Sequence, residues 1–287
     1  MPELPEVEVL VRHLGPLLQN RTVRAVHVRR ARVLAPTSVQ GFKGALEGAT
    51  FEALSRRGKY LLFTLRDANQ NKPLLLFGHL GMTGRMYLLP ERMPWPKHAA
   101  VVLDLGRDSF VFEDTRYFGR FTLDASAVEK LGPEPLGAEF TVEGFRKALH
   151  RSAQPIKVKL LDQSLVAGVG NIYASEALFR AAISPRRAAR RLGRAQVESL
   201  CRAIREVLAE AIERGSTVPL NYAGTGARDG LFYFGRSPGT PDFYAERLRV
   251  YDREGQPCVV CKRPIKRVVQ AARSTFYCAY CQADRKG

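Results

Sequence analysis

The 287-residue chain carries 45 Lys+Arg against 28 Asp+Glu, a formal charge of +17, and is 45% hydrophobic. That length and apolar content exclude a disordered chain and a minimal scaffold, and point to about two domains with cores of their own. The surplus charge points to a polyanion, with nucleic acid favoured over an anionic lipid surface or a merely solvated exterior.

The first residues, Met1-Pro2-Glu3-Leu4-Pro5-Glu6, are acidic where a signal peptide is basic, and no run approaches the ~18 uninterrupted apolar residues of a membrane span. These features predict a cytosolic chain with no membrane partner. Val7, Leu10, Val11, Leu14, Leu17 and Leu18 recur with a period near 3.6, which predicts a helix whose first turn suits Pro5. From residue 22 the pattern changes to short β-rich runs: Thr22 to Leu34, Tyr60 to Leu65, Leu74 to Phe77, Ala99 to Leu105 and Phe110 to Glu113, with a turn at Gly106-Arg107-Asp108. With no helices read between them, these are antiparallel signals, and a sandwich or barrel is favoured over a doubly wound sheet.

Gly132-Pro133-Glu134-Pro135 reads as a linker, and helices follow it: Thr141 to His150, Ile156 to about Ala167, a helix capped by Asn171 and running to Ala182, and another start at Ser184-Pro185. A long amphipathic helix then runs to Arg214 and stops at Gly215, with Cys201 on its apolar face as a core thiol. From Ser216 to Tyr244 glycine and aromatic residues mix without period, as in a functional or disordered loop.

The chain closes on Cys258-x-x-Cys261 and Cys278-x-x-Cys281 with sixteen residues between the pairs, the spacing of a four-thiolate zinc site closed by a hairpin. Redox dithiols or chance pairs are the weaker readings. Ten Lys+Arg against three Asp+Glu between Arg247 and Gly287 suit a hairpin that faces phosphate.

Removal of Met1 would leave Pro2 as a secondary amine. An ordinary α-amine titrates near pH ~8 against ~10.4 for lysine, so far more of it is free base at neutral pH. The helix start disfavours the ammonium while Glu3 and Glu6 favour it. Such an amine can attack a sugar C1′, expel the base and form an iminium with no N–H to lose. That electron sink acidifies C2′ and lets the 3′ phosphate leave. Glu3 is the nearest group able to handle the proton.

Five stretches carry a family resemblance: Met1-Pro2-Glu3-Leu4-Pro5-Glu6-Val7-Glu8, Arg56-Arg57-Gly58-Lys59-Tyr60-Leu61-Leu62, His79-Leu80-Gly81-Met82-Thr83-Gly84, Val169-Gly170-Asn171-Ile172-Tyr173-Ala174, and Arg273-Ser274-Thr275-Phe276-Tyr277-Cys278. In this order, and with the four-cysteine module, they resemble the formamidopyrimidine-DNA glycosylases of bacterial base-excision repair over nearly the whole chain.

The resemblance implies an α+β multidomain protein: an N-terminal β-sandwich with its helix over 1–131, a helix-two-turn-helix domain over 132–246 with a lesion-capping loop at 216–244, and a zinc finger over 247–287. It implies one structural Zn2+ on Cys258, Cys261, Cys278 and Cys281, and damaged duplex DNA in the cleft between the halves. A monomer acting on the nucleoid in the cytoplasm is expected. Pro2 is implied as Schiff-base nucleophile and Glu3 as proton donor, with Lys59 assisting the first elimination and Arg273 the second.

By the same matching, Met82, Arg116 and Phe118 enter the duplex when the damaged nucleotide rotates out, and Asn171 contacts phosphate. His79, His98, Arg151, Lys157 and Tyr251 match as further backbone contacts. The chain departs from the family pattern at Pro219, which offers no N–H to a lesion, in a long stretch through Asn221, Gly230, Phe232, Tyr233, Phe234 and Tyr244, and at Tyr117, where a basic residue is frequent. The expected activity is a bifunctional glycosylase and abasic-site lyase on oxidised purines. An endonuclease VIII-like enzyme for oxidised pyrimidines and a non-catalytic zinc-dependent DNA-binding protein are the alternatives, and Leu4 with the long loop disfavours the first of these.

Overall fold

A computed structural model describes residues 2–67, 73–90, 92–214 and 247–283. The described chain divides into two compact units, one holding Pro2 and Glu6–Glu129, the other Glu3–Pro5, 130–214 and 247–283. The stretch 216–244, with Pro219 and the aromatic run, lies outside the described residues.

The first unit holds most of helix α1 (Leu4–Leu18) and two four-stranded antiparallel sheets. One sheet has the order β1-β6-β7-β5, from Ala25–Val28, Ala99–Asp104, Asp108–Asp114 and Gly84–Pro90; the other has the order β2-β3-β4-β8, from Thr50–Arg57, Tyr60–Arg66, Pro73–His79 and Arg120–Thr122. Alternation along β3 sends Leu61, Phe63 and Leu65 inward. There Phe63 meets Phe51, Phe110 and Phe121 at ring-centroid distances of 5.7 to 6.0 Å, mostly edge to face. The sandwich core is this aromatic cluster together with Val7, Leu10, Leu14 and Leu18 from α1.

The extended run read from Thr22 to Leu34 is shorter than expected. Only Ala25–Val28 is strand, and Ala31–Leu34 is a 3-10 turn. Val33 and Leu34 are consecutive and both fully buried, which a strand facing one core cannot achieve because its side chains alternate. A helix, α2 (Val39–Leu46), intervenes where none was read. Gly41 and Gly44 dilute its pattern, yet the Ser38 hydroxyl caps the Gly41 N–H at 3.1 Å and Phe42 and Leu46 bury one turn apart.

In the second unit, α4 (Val142–His150), α5 (Ile156–Lys159), α6 (Asn171–Arg180) and α7 (Arg194–Glu213) pack around Tyr173, Leu178, Leu200, Ile204 and Leu208. The short α3 (Ser126–Glu129) ends the first unit. Helix α4 is capped by the Thr141 hydroxyl, and α7 ends at Glu213, one residue before the expected Arg214. Cys201 is buried, and burial pushes its thiol up to about 11.

The helix expected from Ile156 to Ala167 stops at Lys159, because the Asp162 carboxylate takes both the backbone N–H (2.9 Å) and hydroxyl (2.6 Å) of Ser164 and closes a turn. No helix starts at Ser184-Pro185; a 3-10 turn follows at Ala189–Arg191. The cysteine module forms the hairpin β9 (Lys266–Gln270) and β10 (Arg273–Tyr277). Among the described residues no helix is long and apolar enough to cross a membrane.

Candidate functional site

Within the first unit, Lys59 occupies the two-residue turn between β2 and β3, immediately before the strand that begins at Tyr60. Gly58 leads that turn at φ +56, which glycine adopts without strain. The Glu8 carboxylate fixes the turn from α1: it accepts from Arg56 Nε at 2.9 Å, and Arg56 in turn donates to the Gly58 carbonyl at 3.0 Å. Burial works against the charge on Glu8, but hydrogen bonds from Arg12 and Arg56 prevail and hold its carboxyl below the ordinary value. Lys59 itself is 7% exposed.

His79 ends β4 with its Nδ1 accepting from the Gly81 N–H at 3.1 Å. Burial, with Lys59 and Arg120 nearby, lowers it to about 4, so the ring is neutral at pH 7 and, with Nδ1 accepting, carries its proton on Nε2.

Met82, Arg116 and Phe118 are brought together. The Arg116 guanidinium donates to Met82 Sδ at 3.3 Å and lies 4.9 Å from the Phe118 ring centroid, and Met82 and Phe118 remain 40% and 47% exposed. A residue that the sequence reading passed over holds this group. Asp114, fully buried, accepts from the Thr83 hydroxyl (2.5 Å) and the Arg116 N–H (3.1 Å) on one oxygen, and from the Gly119 N–H (2.8 Å) on the other. Its carboxylate thereby ties the turn carrying Met82 to the turn carrying Arg116 and Phe118. A Cβ on Gly81 would stand 2.7 Å from the Gly119 nitrogen, so the two turns approach too closely for a side chain there.

Between Arg116 and Phe118, Tyr117 sits at φ +53, a conformation costly to a non-glycine residue. Its hydroxyl lies 3.5 Å from His98 Nδ1, and Arg30 lies over its ring at 5.2 Å.

Asp114→Asn is expected to destabilise the protein by about 1–3 kcal/mol, because an amide must turn its NH2 toward a buried donor and leave that donor unsatisfied. Chemical denaturation checks this. A change within a few tenths of a kcal/mol, the usual scale of exposed substitutions, would contradict it.

Within the second unit, Asn171 is the first residue of α6 rather than its cap; the N-cap is Gly170. Capping comes instead from Glu3, whose two carboxylate oxygens accept from the Ile172 N–H (2.9 Å) and the Tyr173 N–H (3.3 Å). Glu3 is 1% exposed and packs so tightly on Gly170 that a Cβ there would overlap its carboxylate.

The Asn171 side chain is thus released for other work. It accepts from Lys157 Nζ at 2.5 Å and donates to the Ser274 carbonyl at 2.9 Å, and Tyr251 hydrogen-bonds to it as well. Lys157 is fully buried, and burial, opposed by Glu3 and aided by Arg273, lowers it to about 8. Arg273 is exposed at the start of β10. Arg151 is exposed as the C-cap of α4, its N–H bonding to the Leu149 carbonyl, and its side chain makes no hydrogen bond or ion pair among the described residues.

Glu176 is a further residue missed from sequence. Buried on α6, it accepts the backbone N–H groups of Arg249, Val250 and Tyr251 at 2.8 to 2.9 Å, and so anchors the segment that carries Tyr251. Its only sequence signal is a carboxylate inside an otherwise apolar helix face.

The four cysteines expected to bind metal converge, with all Sγ atoms within 4.8 Å of one another. A tetrahedral zinc with Zn–S near ~2.3 Å places sulfurs ~3.8 Å apart. The Cys258–Cys281 and Cys261–Cys278 separations of 3.8 and 3.4 Å fit that edge. Backbone N–H groups of Val260 and Cys281 approach Cys258 Sγ (3.5 Å) and Cys278 Sγ (3.4 Å), completing two knuckles. Thiolate donors in this geometry suit a structural zinc, and one such ion belongs to the fold.

The chain matches three families over these regions: the formamidopyrimidine-DNA glycosylase N-terminal domain over 1–121, the formamidopyrimidine-DNA glycosylase H2TH domain over 131–220, and the zinc finger found in FPG and IleRS over 255–283. A β-sandwich followed by a helix-two-turn-helix domain and a zinc finger defines a DNA-binding glycosylase of base-excision repair.

The chain is 39% identical over 282 residues to the formamidopyrimidine-DNA glycosylase of Carboxydothermus hydrogenoformans (98% of this chain, 100% of that protein) and 40% identical over 291 residues to that of Thermus thermophilus (99% of each). A solved complex of LlFpg with THF-DNA and an inhibitor superposes with a TM-score of 0.87 at 30% identity (99% of this chain, 100% of that one). A complex of Lactococcus lactis Fpg with N7-benzyl-Fapy-dG DNA does so with 0.86 at 30% and the same coverage. The chain belongs to the formamidopyrimidine-DNA glycosylase family, and carries the DNA glycosylase and abasic-site lyase activity characteristic of it.

Proposed function

We propose that this chain excises oxidised purines, formamidopyrimidines and 8-oxoguanine, through a covalent intermediate on Pro2, with Glu3 as its proton relay. The observation that carries the reading is the Glu3 carboxylate, buried beside Pro2 in sequence and held by the Ile172 and Tyr173 amides. The two N–H donors at the helix start fix the position of that carboxylate. In this reading Glu3 takes a proton from the Pro2 ammonium and passes it to the ring oxygen of the sugar. The freed amine bonds to C1′ as the bond to the base breaks, and the base leaves with the electron pair and takes up the proton that the nitrogen sheds; the C1′–O4′ bond then breaks onto the protonated ring oxygen, and the nitrogen lone pair forms the iminium. The iminium acidifies C2′, a base takes that proton, and the 3′ phosphate departs with the C3′–O electron pair; a second elimination releases the 5′ phosphate. Lys59 serves the first elimination and Arg273 the second.

Met82, Arg116 and Phe118 refill the stack that the rotated nucleotide leaves, where extrusion costs a few kcal/mol. His79, His98, Arg151, Lys157, Asn171 and Tyr251 hold the backbone. The domains divide at 1–131, 132–246 and 247–287, and the protein acts as a monomer on nucleoid DNA in the cytoplasm. Excision from 8-oxoguanine:C duplex against thymine-glycol duplex tests the substrate; preference for thymine glycol overturns it.

Lys157 gives the reading a pH signature. Its amine titrates at about 8, so its charge, and the attraction that charge adds for phosphate from beneath Asn171, fade as pH rises through that value. Folding responds with the opposite sign. Between about 8 and the unfolded value near ~10.4 the unfolded chain binds more protons, so burial of Lys157 costs less and stability rises with pH. Lys157→Met is expected to flatten the fall in DNA affinity over this window, as read by fluorescence anisotropy. An unchanged pH profile would remove Lys157 from the interface.

A further inference from the structure

We infer that Arg186, Arg190 and Arg191 form a second contact for duplex DNA, taking the phosphates of the helix that flanks the lesion. This rests on the reading that Lys157, Asn171 and Arg273 face the DNA backbone.

Arg186, Arg190 and Arg191 are exposed, and their guanidinium groups have no ion-pair or hydrogen-bond partner among the described residues. Acids on α7 and α4 are engaged elsewhere: Glu198 pairs with Arg194 at 3.1 Å and Glu143 with Arg146 at 3.3 Å. Unneutralised arginines this dense repel one another and lower stability, a cost that a polyanion reverses. Arginine's planar fork also suits phosphate oxygens.

The segment is built onto the phosphate-facing cluster by backbone hydrogen bonds. Ile156 N–H donates to the Arg187 carbonyl at 2.7 Å and Lys157 N–H to the Pro185 carbonyl at 3.3 Å. From the zinc hairpin, the Gln270 side-chain amide donates to that same Pro185 carbonyl at 3.3 Å. On its far side, Ala189 N–H and Arg190 N–H bond to the carbonyls of Gln154 and Ser152, beside the exposed Arg151. The ridge therefore continues outward from Lys157 and the zinc hairpin, where an extended duplex runs on after the lesion is engaged. Among the partners that charge alone would allow, the phosphate backbone of DNA is the one contiguous with this face.

Each phosphate contact contributes about 0.9 to the slope of log affinity against log salt. The test compares the full-length protein with Arg186→Gln/Arg190→Gln/Arg191→Gln on abasic-analogue duplexes of about one helical turn (~10 bp) and about three turns (~30 bp). The expected result is a salt slope shallower by about 1–3 on the long duplex and unchanged on the short one. Equal slopes for both proteins on the long duplex would overturn the proposal, and so would an equal change on both duplexes. The readout is equilibrium binding, so it stands apart from the covalent reading. If Pro2 were not the nucleophile, borohydride trapping would fail while the slope difference remained.

Discussion

Pro2→Gly is expected to slow cleavage of lesion duplex by about 10²-fold or more, and an added residue ahead of Pro2 to abolish it, while salt-sensitive DNA binding persists in both. Glycine keeps a terminal amine but makes a Schiff base that can lose its N–H and rest as a neutral imine, a poorer electron sink. It also frees the backbone two residues before α1 begins at Leu4, and a misplacement near 1 Å can cost about 10²-fold on its own. An extension is more severe, because it converts the amine to an amide without a nucleophilic lone pair.

Glu3→Gln is the companion variant. An amide turns a donor toward the Ile172 and Tyr173 N–H groups and cannot relay a proton, so a loss of about 10²–10⁴ in rate is expected. Borohydride trapping with mass mapping of the crosslinked peptide reads all three proteins. A crosslink on a lysine, or full-rate cutting by protein extended beyond Pro2, would defeat the assignment.

How much of this was legible in the sequence depended on how local the signal was. Helix α1, strands β3, β4, β6 and β7, helix α7 and the cysteine knuckles announce themselves, because periodicity and spacing are local properties. Strand β2 was missed because Glu52, Ser55 and Arg56 break its apolar alternation, and β8 because it is only three residues long.

At the site, the residues that touch DNA in the proposed reading were found through motifs, whereas those that hold them were not. Asp114 reads as an ordinary turn aspartate until Thr83, thirty-one residues away, is seen to share its oxygen. Glu176 takes amides more than seventy residues further along the chain. Asn171 reads as an N-cap because asparagine usually is one. Nothing local indicates that Glu3 caps the helix from the other end of the sequence and leaves Asn171 free for Lys157 and Ser274.

Loss of zinc should be felt at the DNA-binding residues rather than in the sandwich. The module's core is small: Phe179, Val250, Ile265, Phe276 and the fully buried Cys258 and Cys278. So few apolar groups cannot order a hairpin without the metal, whose binding energy is folding energy here. Strand β10 runs from Arg273 to Tyr277 and feeds directly into Cys278, so releasing that thiolate releases Arg273 and the Ser274 carbonyl that Asn171 holds. Two phosphate contacts at about 1.5–3 kcal/mol each correspond to a loss of about 10²-fold or more in affinity.

Chelation, or Cys278→Ser, is therefore expected to weaken lesion-duplex binding by that factor while near-ultraviolet dichroism of the aromatic sandwich core is preserved. Restoring zinc should rescue the chelated protein but not the variant. Metal-free protein that binds duplex at full affinity would show that the hairpin holds its shape by packing alone, and that Arg273 owes its position to something other than the thiolate cage.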